Sequence, residues 1–130
     1  MRFNHTAHRV AARHFEAVVE MFVDQLAFVI LRRTDRSIWL RQPGGNIDLQ
    51  FSRSETAHRD ADKLRSQVSF LSDTPEAALR ALATWAQARG LDAHVGAYSD
   101  REFYLDLPEA FVDWVLEAMR PELADYPVKA

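Results

Sequence analysis

The chain has 130 residues and a mass of 14.9 kDa, the size of one domain or of two small units sharing a core. Apolar residues are 48% and charged residues 27%, which describes a folded chain rather than a disordered one; with no cysteine, disulfides, Cys-ligated zinc, iron–sulfur clusters and thiol nucleophiles are excluded. A net charge of −3 with a pI near 5.9 suits neither a nucleic-acid backbone nor an anionic membrane as partner.

Met1-Arg2-Phe3-Asn4-His5 leads into mixed polar sequence with no apolar targeting region, and the apolar runs are far too short for a membrane span. A cytoplasmic protein is therefore expected. Residues 3–12 read as a strand. Residues 14–26 read as a helix, because Phe15, Val18, Val19, Phe22 and Leu26 form one stripe at helical spacing. Residues 27–31 read as a short buried strand, 34–37 as a turn and 38–41 as a strand. A second turn at Pro43-Gly44-Gly45-Asn46 leads to a strand at 47–51.

Residues 52–63 are polar without apolar periodicity and read as a linker. Residues 67–71 read as a strand. Asp73-Thr74-Pro75-Glu76 opens a helix that runs to Arg89 and stops at Gly90, with Leu79, Leu82, Trp85 and Ala86 as its core stripe. Strands follow at 91–98 and 102–107, and Pro108 opens a last helix to about residue 120, with Phe111, Val112, Val115, Leu116 and Met119 on one face. Trp114, off that stripe, is free to meet a partner. Phe15, Val19, Phe22, Leu26, Leu49, Leu79 and Leu82 are the expected core.

One unit is thus written twice, over about 3–51 and 64–107. Its closing strands match as Ile47-Asp48-Leu49 and Leu105-Asp106-Leu107. Two units too small to bury a core alone must pair, within the chain or across a dimer. Strand alternation puts Trp39, Arg41, Asp48, Gln50, Tyr104 and Asp106 on the polar faces. Those faces either line a pocket or lie open to water. Asp48 can also pair with Arg41 across its hairpin, and Asp106 can cap the helix after Pro108.

The chain resembles the vicinal oxygen chelate superfamily, which includes glyoxalase I, extradiol dioxygenases and bleomycin-resistance proteins. That family's aromatic-aromatic-x-x-x-Leu-Gly-Phe segment stands here as Met21-Phe22-Val23-Asp24-Gln25-Leu26-Ala27-Phe28, with Ala27 in place of Gly. Its aliphatic-Glu-Leu closing strands are matched with Asp48 and Asp106, and Arg89-Gly90-Leu91 resembles the end of its second helix. Its Asp-Pro-Asp-Gly turn survives only as Asp100-Arg101-Glu102. The resemblance implies an α+β fold: paired βαβββ modules forming a curved, cup-shaped mixed sheet with helices on the convex side, here with the added C-terminal helix. Ligand would lie on the concave side, against Trp39, Arg41, Asp48, Gln50, Gln67, Tyr104 and Asp106.

Family enzymes hold a divalent metal with His and Glu. The resemblance places the second unit's His position at Gln67, or at Ser66 with a one-residue slip. In the first unit the candidates are His5 and His8, but an ungapped count from Met21 reaches Ala7, and His8 needs a one-residue deletion in the loop before the helix. A Gln is a poor ligand for a transition metal. The reading that follows is a glyoxalase- or bleomycin-resistance-like protein binding a small organic molecule without a catalytic metal. The alternative is a metal-dependent lyase, isomerase or dioxygenase with His8, Asp48 and Asp106 as ligands. A third is a regulatory module with a vestigial cup. A homodimer is expected, with no nucleic-acid or membrane partner. No Gly-x-Gly-x-x-Gly, Walker loop or Gly-x-Ser-x-Gly elbow occurs.

Overall fold

Alternating strands punctuated by turns in each half fold into two four-stranded sheets in the computed structural model, which describes residues 4–45, 47–55 and 63–124. In the first half, β1 (His5–Ala11) runs through a 3-10 turn (Ala12–His14) into α1 (Phe15–Glu20) and a π-helical turn (Met21–Gln25). Then follow β2 (Val29–Arg33), β3 (Ser37–Arg41) and β4 (Asp48–Ser54). The sheet order is β1-β4-β3-β2, with β1 parallel to β4 and the other pairs antiparallel. The parallel pair needs a crossover, which the helix supplies.

The second half repeats this plan. A 3-10 turn (Lys63–Arg65) leads to β5 (Gln67–Leu71), α2 (Pro75–Ala88), β6 (His94–Ala97), β7 (Glu102–Asp106) and β8 (Val115–Met119), in the order β5-β8-β7-β6. Helix α2 has Pro75 in its first turn and ends before Gly90, whose φ of +79° suits a residue without a side chain.

The C-terminal helix expected over 108–120 is not formed. Residues 108–110 are a turn, and 115–119 are β8, the strand between β5 and β7. The apolar spacing there fits a helix, but the extended chain buries Ala110, Phe111, Val112, Trp114, Val115, Leu116 and Ala118 between the two units, while Glu109 and Asp113 keep accessible side chains in ion pairs with Arg13 and Arg9. The repeat also demands a fourth strand beside β5. The second unit therefore closes at β8, and 102–107, read as its closing strand, contains the third strand, β7. Trp114, expected at a partner surface, is fully buried and donates its indole N–H to the Arg9 carbonyl at 3.0 Å.

Three smaller differences appear. The start of the expected linker, Ser52–Ser54, belongs to β4, and 56–62 lie outside the described residues, as does Asn46 of the second turn. The expected buried strand at 27–31 begins later, at Val29, and forms a sheet edge. With a neighbour on one side only, its Val29, Ile30 and Leu31 are 44–49% exposed. Phe15, Val19, Phe22, Leu49, Leu79 and Leu82 are buried as expected, while Leu26 is only partly so.

One core spans both units. Phe22 packs on Phe28, Phe51, Phe70 and Trp114, and Phe51 stacks on Trp114 at 5.5 Å and 14°. At the exit of the π-helical turn, Ala27 has a φ of +59°, a left-handed conformation that costs an L-residue about 1–2 kcal/mol. Ala27 is exposed, so only the backbone matters there. Ala27→Gly should raise stability by about 0.5–1 kcal/mol in urea denaturation, the strain relief less the entropy of the added glycine. A lower midpoint would show that this turn is not strained.

Candidate functional site

Pairing register defines which positions repeat. The buried pair Leu40–Leu49 in the first sheet corresponds to Leu105–Leu116 in the second. It follows that Trp39 and Gln50 match Tyr104 and Glu117, and that Ala7 matches Ser69, their partners on β1 and β5. Asp48 and Asp106 are therefore not equivalent. Asp106 pairs with His94 on β6, and its counterpart is Arg41, which pairs with Val29. Glu117 is the acid at the repeat position, and the sequence reading missed it. Its signal was present: Leu116-Glu117-Ala118 is an aliphatic-Glu-aliphatic strand, hidden inside the supposed helix.

Each expected acid has its own cation. Asp48 is nearly buried and accepts two bonds from Arg41, 2.6 Å from Nε and 3.1 Å from Nη2. Asp106 lies 2.7 Å from Lys63 Nζ, whose side chain is 3% exposed. That is ion-pair distance, although the two atoms lack the alignment of a hydrogen bond. Removing one partner strands the other charge away from water. Asp106→Asn should lower stability by about 3 kcal/mol in chemical denaturation, the usual scale for half of a buried pair. A change near zero would mean that water reaches Lys63.

The expected metal ligands do not converge. His8 pairs in register with Phe51, which is fully buried, whereas Asp48 pairs with His5; His8 and Asp48 therefore lie on opposite faces of the first sheet. Among the described residues no group of three His, Asp or Glu side chains is placed to hold a metal ion. Ala7, Gln50, Ser69 and Glu117, which occupy matching positions in the two units, supply a single carboxylate. This donor set does not suit a divalent transition metal. His14 Nε2 is buried without a hydrogen-bond partner among the described residues, 3.7 Å from Glu109, and His94 is exposed.

His8 has a different character. Its ring contacts Trp114 at 5.3 Å, and its Nε2 is buried without a hydrogen-bond partner. Burial lowers its pKa from the ordinary 6.5, partly opposed by Asp113. The unfolded chain then binds the proton more readily, so His8 lowers stability as the pH falls below about 6.5. Urea midpoints should fall between about pH 7.5 and pH 5.5, and His8→Phe should flatten that dependence. An equal slope in the variant would assign the effect to other groups.

On the second sheet's open face, Tyr104 lies flat over Gly96, its partner on β6. A Cβ at Gly96 would come within 2.3 Å of the ring. The Tyr98 and Tyr104 rings meet at 5.1 Å, tilted by 49°. Although β6 and β5 are opposite edges of the sheet, the Tyr98 hydroxyl donates to the Leu64 carbonyl and accepts from Gln67 Nε2 at 3.3 Å. The contact thus links the residues adjoining the two edges of the sheet. Burial raises the Tyr98 pKa; the Gln67 bond opposes this, and the negative charges of Glu117 and Asp106 add to it. Glu117 Oε1 accepts from Ser69 Oγ at 2.7 Å.

A cavity of about 530 Å³ runs alongside β5, lined by Gln67–Leu71 and across from them by Thr6, Phe28, Gln42, Ile47 and Leu49. Gln67 and Ser69 thus border both the cavity and the tyrosine face. Of the residues expected to bind a ligand, Gln67 lines this cavity; Trp39, Arg41, Asp48 and Gln50 belong to the first sheet, and Tyr104 and Asp106 to the second. Arg32 lies 4.9 Å over the Trp39 ring.

Two βαβββ units, each an open mixed sheet with its closing strand beside its first, define the vicinal oxygen chelate fold. The chain is similar along nearly its whole length to solved structures of that class. A glyoxalase family protein from Enterococcus faecalis superposes with a TM-score of 0.58 at 16% identity, covering 92% of this chain and 97% of the other. A lactoylglutathione lyase from Agrobacterium tumefaciens gives 0.55 at 14%, covering 96% and 97%. A bleomycin-binding protein from Streptomyces verticillus, in complex with copper(II)-bleomycin, gives 0.53 at 21%, covering 92% and 98%. The chain has the fold of the vicinal oxygen chelate superfamily. No family model and no curated protein matches its sequence. No helix among the described residues is long and apolar enough to cross a membrane.

Proposed function

We propose that the chain is a cytoplasmic small-molecule binding protein that holds an organic ligand against the open faces of its sheets without a catalytic metal. One observation carries this reading. The positions that repeat between the two units provide one carboxylate, Glu117, and the neighbouring acids are already paired with Arg41 and Lys63. The tyrosines and the cavity beside β5 supply the apolar and polar surface that small-molecule sites combine. The bleomycin-binding protein from Streptomyces verticillus, in complex with copper(II)-bleomycin, is a similar fold holding such a molecule.

We also propose a homodimer. The apolar edge Val29-Ile30-Leu31 is the kind of surface that natural sheets cover, and a second copy would cover it. Protein purified without chelator should contain well under one equivalent of metal by elemental analysis, and added Mn²⁺, Ni²⁺ or Zn²⁺ should leave its melting temperature unchanged. Light scattering should give about twice the 14.9 kDa chain mass. Stoichiometric metal with strong thermal stabilisation would overturn the metal-free reading, and a monomer would overturn the dimer.

A further inference from the structure

The charges on the open faces are unevenly neutralised. Asp48 has Arg41 and Asp106 has Lys63, but among the described residues Glu117 accepts only the neutral Ser69 hydroxyl. Glu102, two residues before Tyr104 on the same face of β7, likewise accepts from the Ser99 hydroxyl rather than from a base. Glu117 is half-buried and pairs in register with Tyr104 across β7 and β8. An aromatic corner of two tyrosine rings therefore borders a carboxylate that has no counter-ion among the described residues. We propose that this corner is a receptor for an organic cation, an alkylammonium or quaternary ammonium group, with Glu117 as its counter-ion. The inference rests on the small-molecule reading above and adds a ligand class to it.

The physical grounds are complementary. A cation within about 6 Å of a tyrosine face is attracted by the ring's quadrupole, and desolvation strengthens that attraction. Gly96 makes the geometry available: with no side chain beneath it, Tyr104 lies down on β6 and presents its upper face. Tyr98 is pinned by Gln67 and the Leu64 carbonyl, so the second ring is pre-positioned at little entropic cost to a ligand. A metal ion would find one carboxylate and a hydroxyl; a soft organic cation finds a carboxylate and two π faces.

The test uses the full chain with benzyltrimethylammonium, and with benzenesulfonate as an anion of similar size, in isothermal titration calorimetry. The cation should bind saturably and the sulfonate at least about tenfold more weakly. Glu117→Gln should weaken the cation about tenfold or more, as expected for loss of one partly desolvated charge contact. Glu117→Asp should retain part of the affinity, and Glu76→Gln, on α2, should change nothing. Gly96→Val, which lifts the Tyr104 ring, should reduce cation binding as well. Melting temperatures of each variant separate loss of binding from loss of fold. Equal binding of both probes would overturn charge selection while leaving the small-molecule reading intact. Failure of both probes, or an unchanged affinity in Glu117→Gln, would overturn the receptor itself.

Discussion

Trp114 is the interaction on which the rest of the structure depends. Its ring stacks on Phe111 at 3.9 Å and on Phe51 at 5.5 Å, and it touches Phe22 and His8 of the first unit. Its N–H reaches the Arg9 carbonyl, so a side chain of the second unit satisfies backbone of the first. Next to it the Ala11 amide bonds to the Ala110 carbonyl, and Val10 bridges to Phe111. Units of this size do not bury enough apolar surface alone, and Trp114 is where two of them share one interior.

That shared interior also dictates where chemistry can occur. The inner faces, with Ile38, Leu40, Leu49 and Phe51 on one sheet and Leu105 and Leu116 on the other, are committed to packing. Polar function is left to the open faces, where Asp48 and Asp106 are neutralised internally by Arg41 and Lys63 and Glu102 and Glu117 accept from serine hydroxyls. Internal neutralisation ties up the two acids that the sequence puts forward and leaves Glu117, at the repeat position, bonded to a neutral hydroxyl.

Much of this was legible in the sequence. The α2 boundaries were written in Pro75 and Gly90, and β5 was read at its observed limits. The pairing of Asp48 with Arg41 was one of two readings left open by alternation, and the hairpin register decided it. What failed was local periodicity set against tertiary need. Residues 111–119 carry apolar side chains at helical spacing, but only 115–119 form a strand, β8, while Phe111, Val112 and Trp114 are buried before it; a run of apolar residues that crosses from loop to strand masks the short alternation of Leu116, Glu117 and Ala118. The misreading moved the unit's closing strand and hid Glu117. A strict demand that the second unit contain as many strands as the first would have found both.

The span of Tyr98 across the second sheet has a mechanical consequence. Its hydroxyl fastens the end of β6 to the turn before β5, so the two rims of that sheet are laced together by a side chain. Flattening the sheet, or prying one rim outward to accept a foreign strand, must first break this lacing. No comparable tie joins the rims of the first sheet among its described residues, and its β2 rim exposes Val29, Ile30 and Leu31 beside Arg32 and Arg33. The repeat is symmetrical in topology and lopsided in compliance: one half is braced rim to rim by a side chain, and the other leaves its edge strand β2 without such a brace among the described residues.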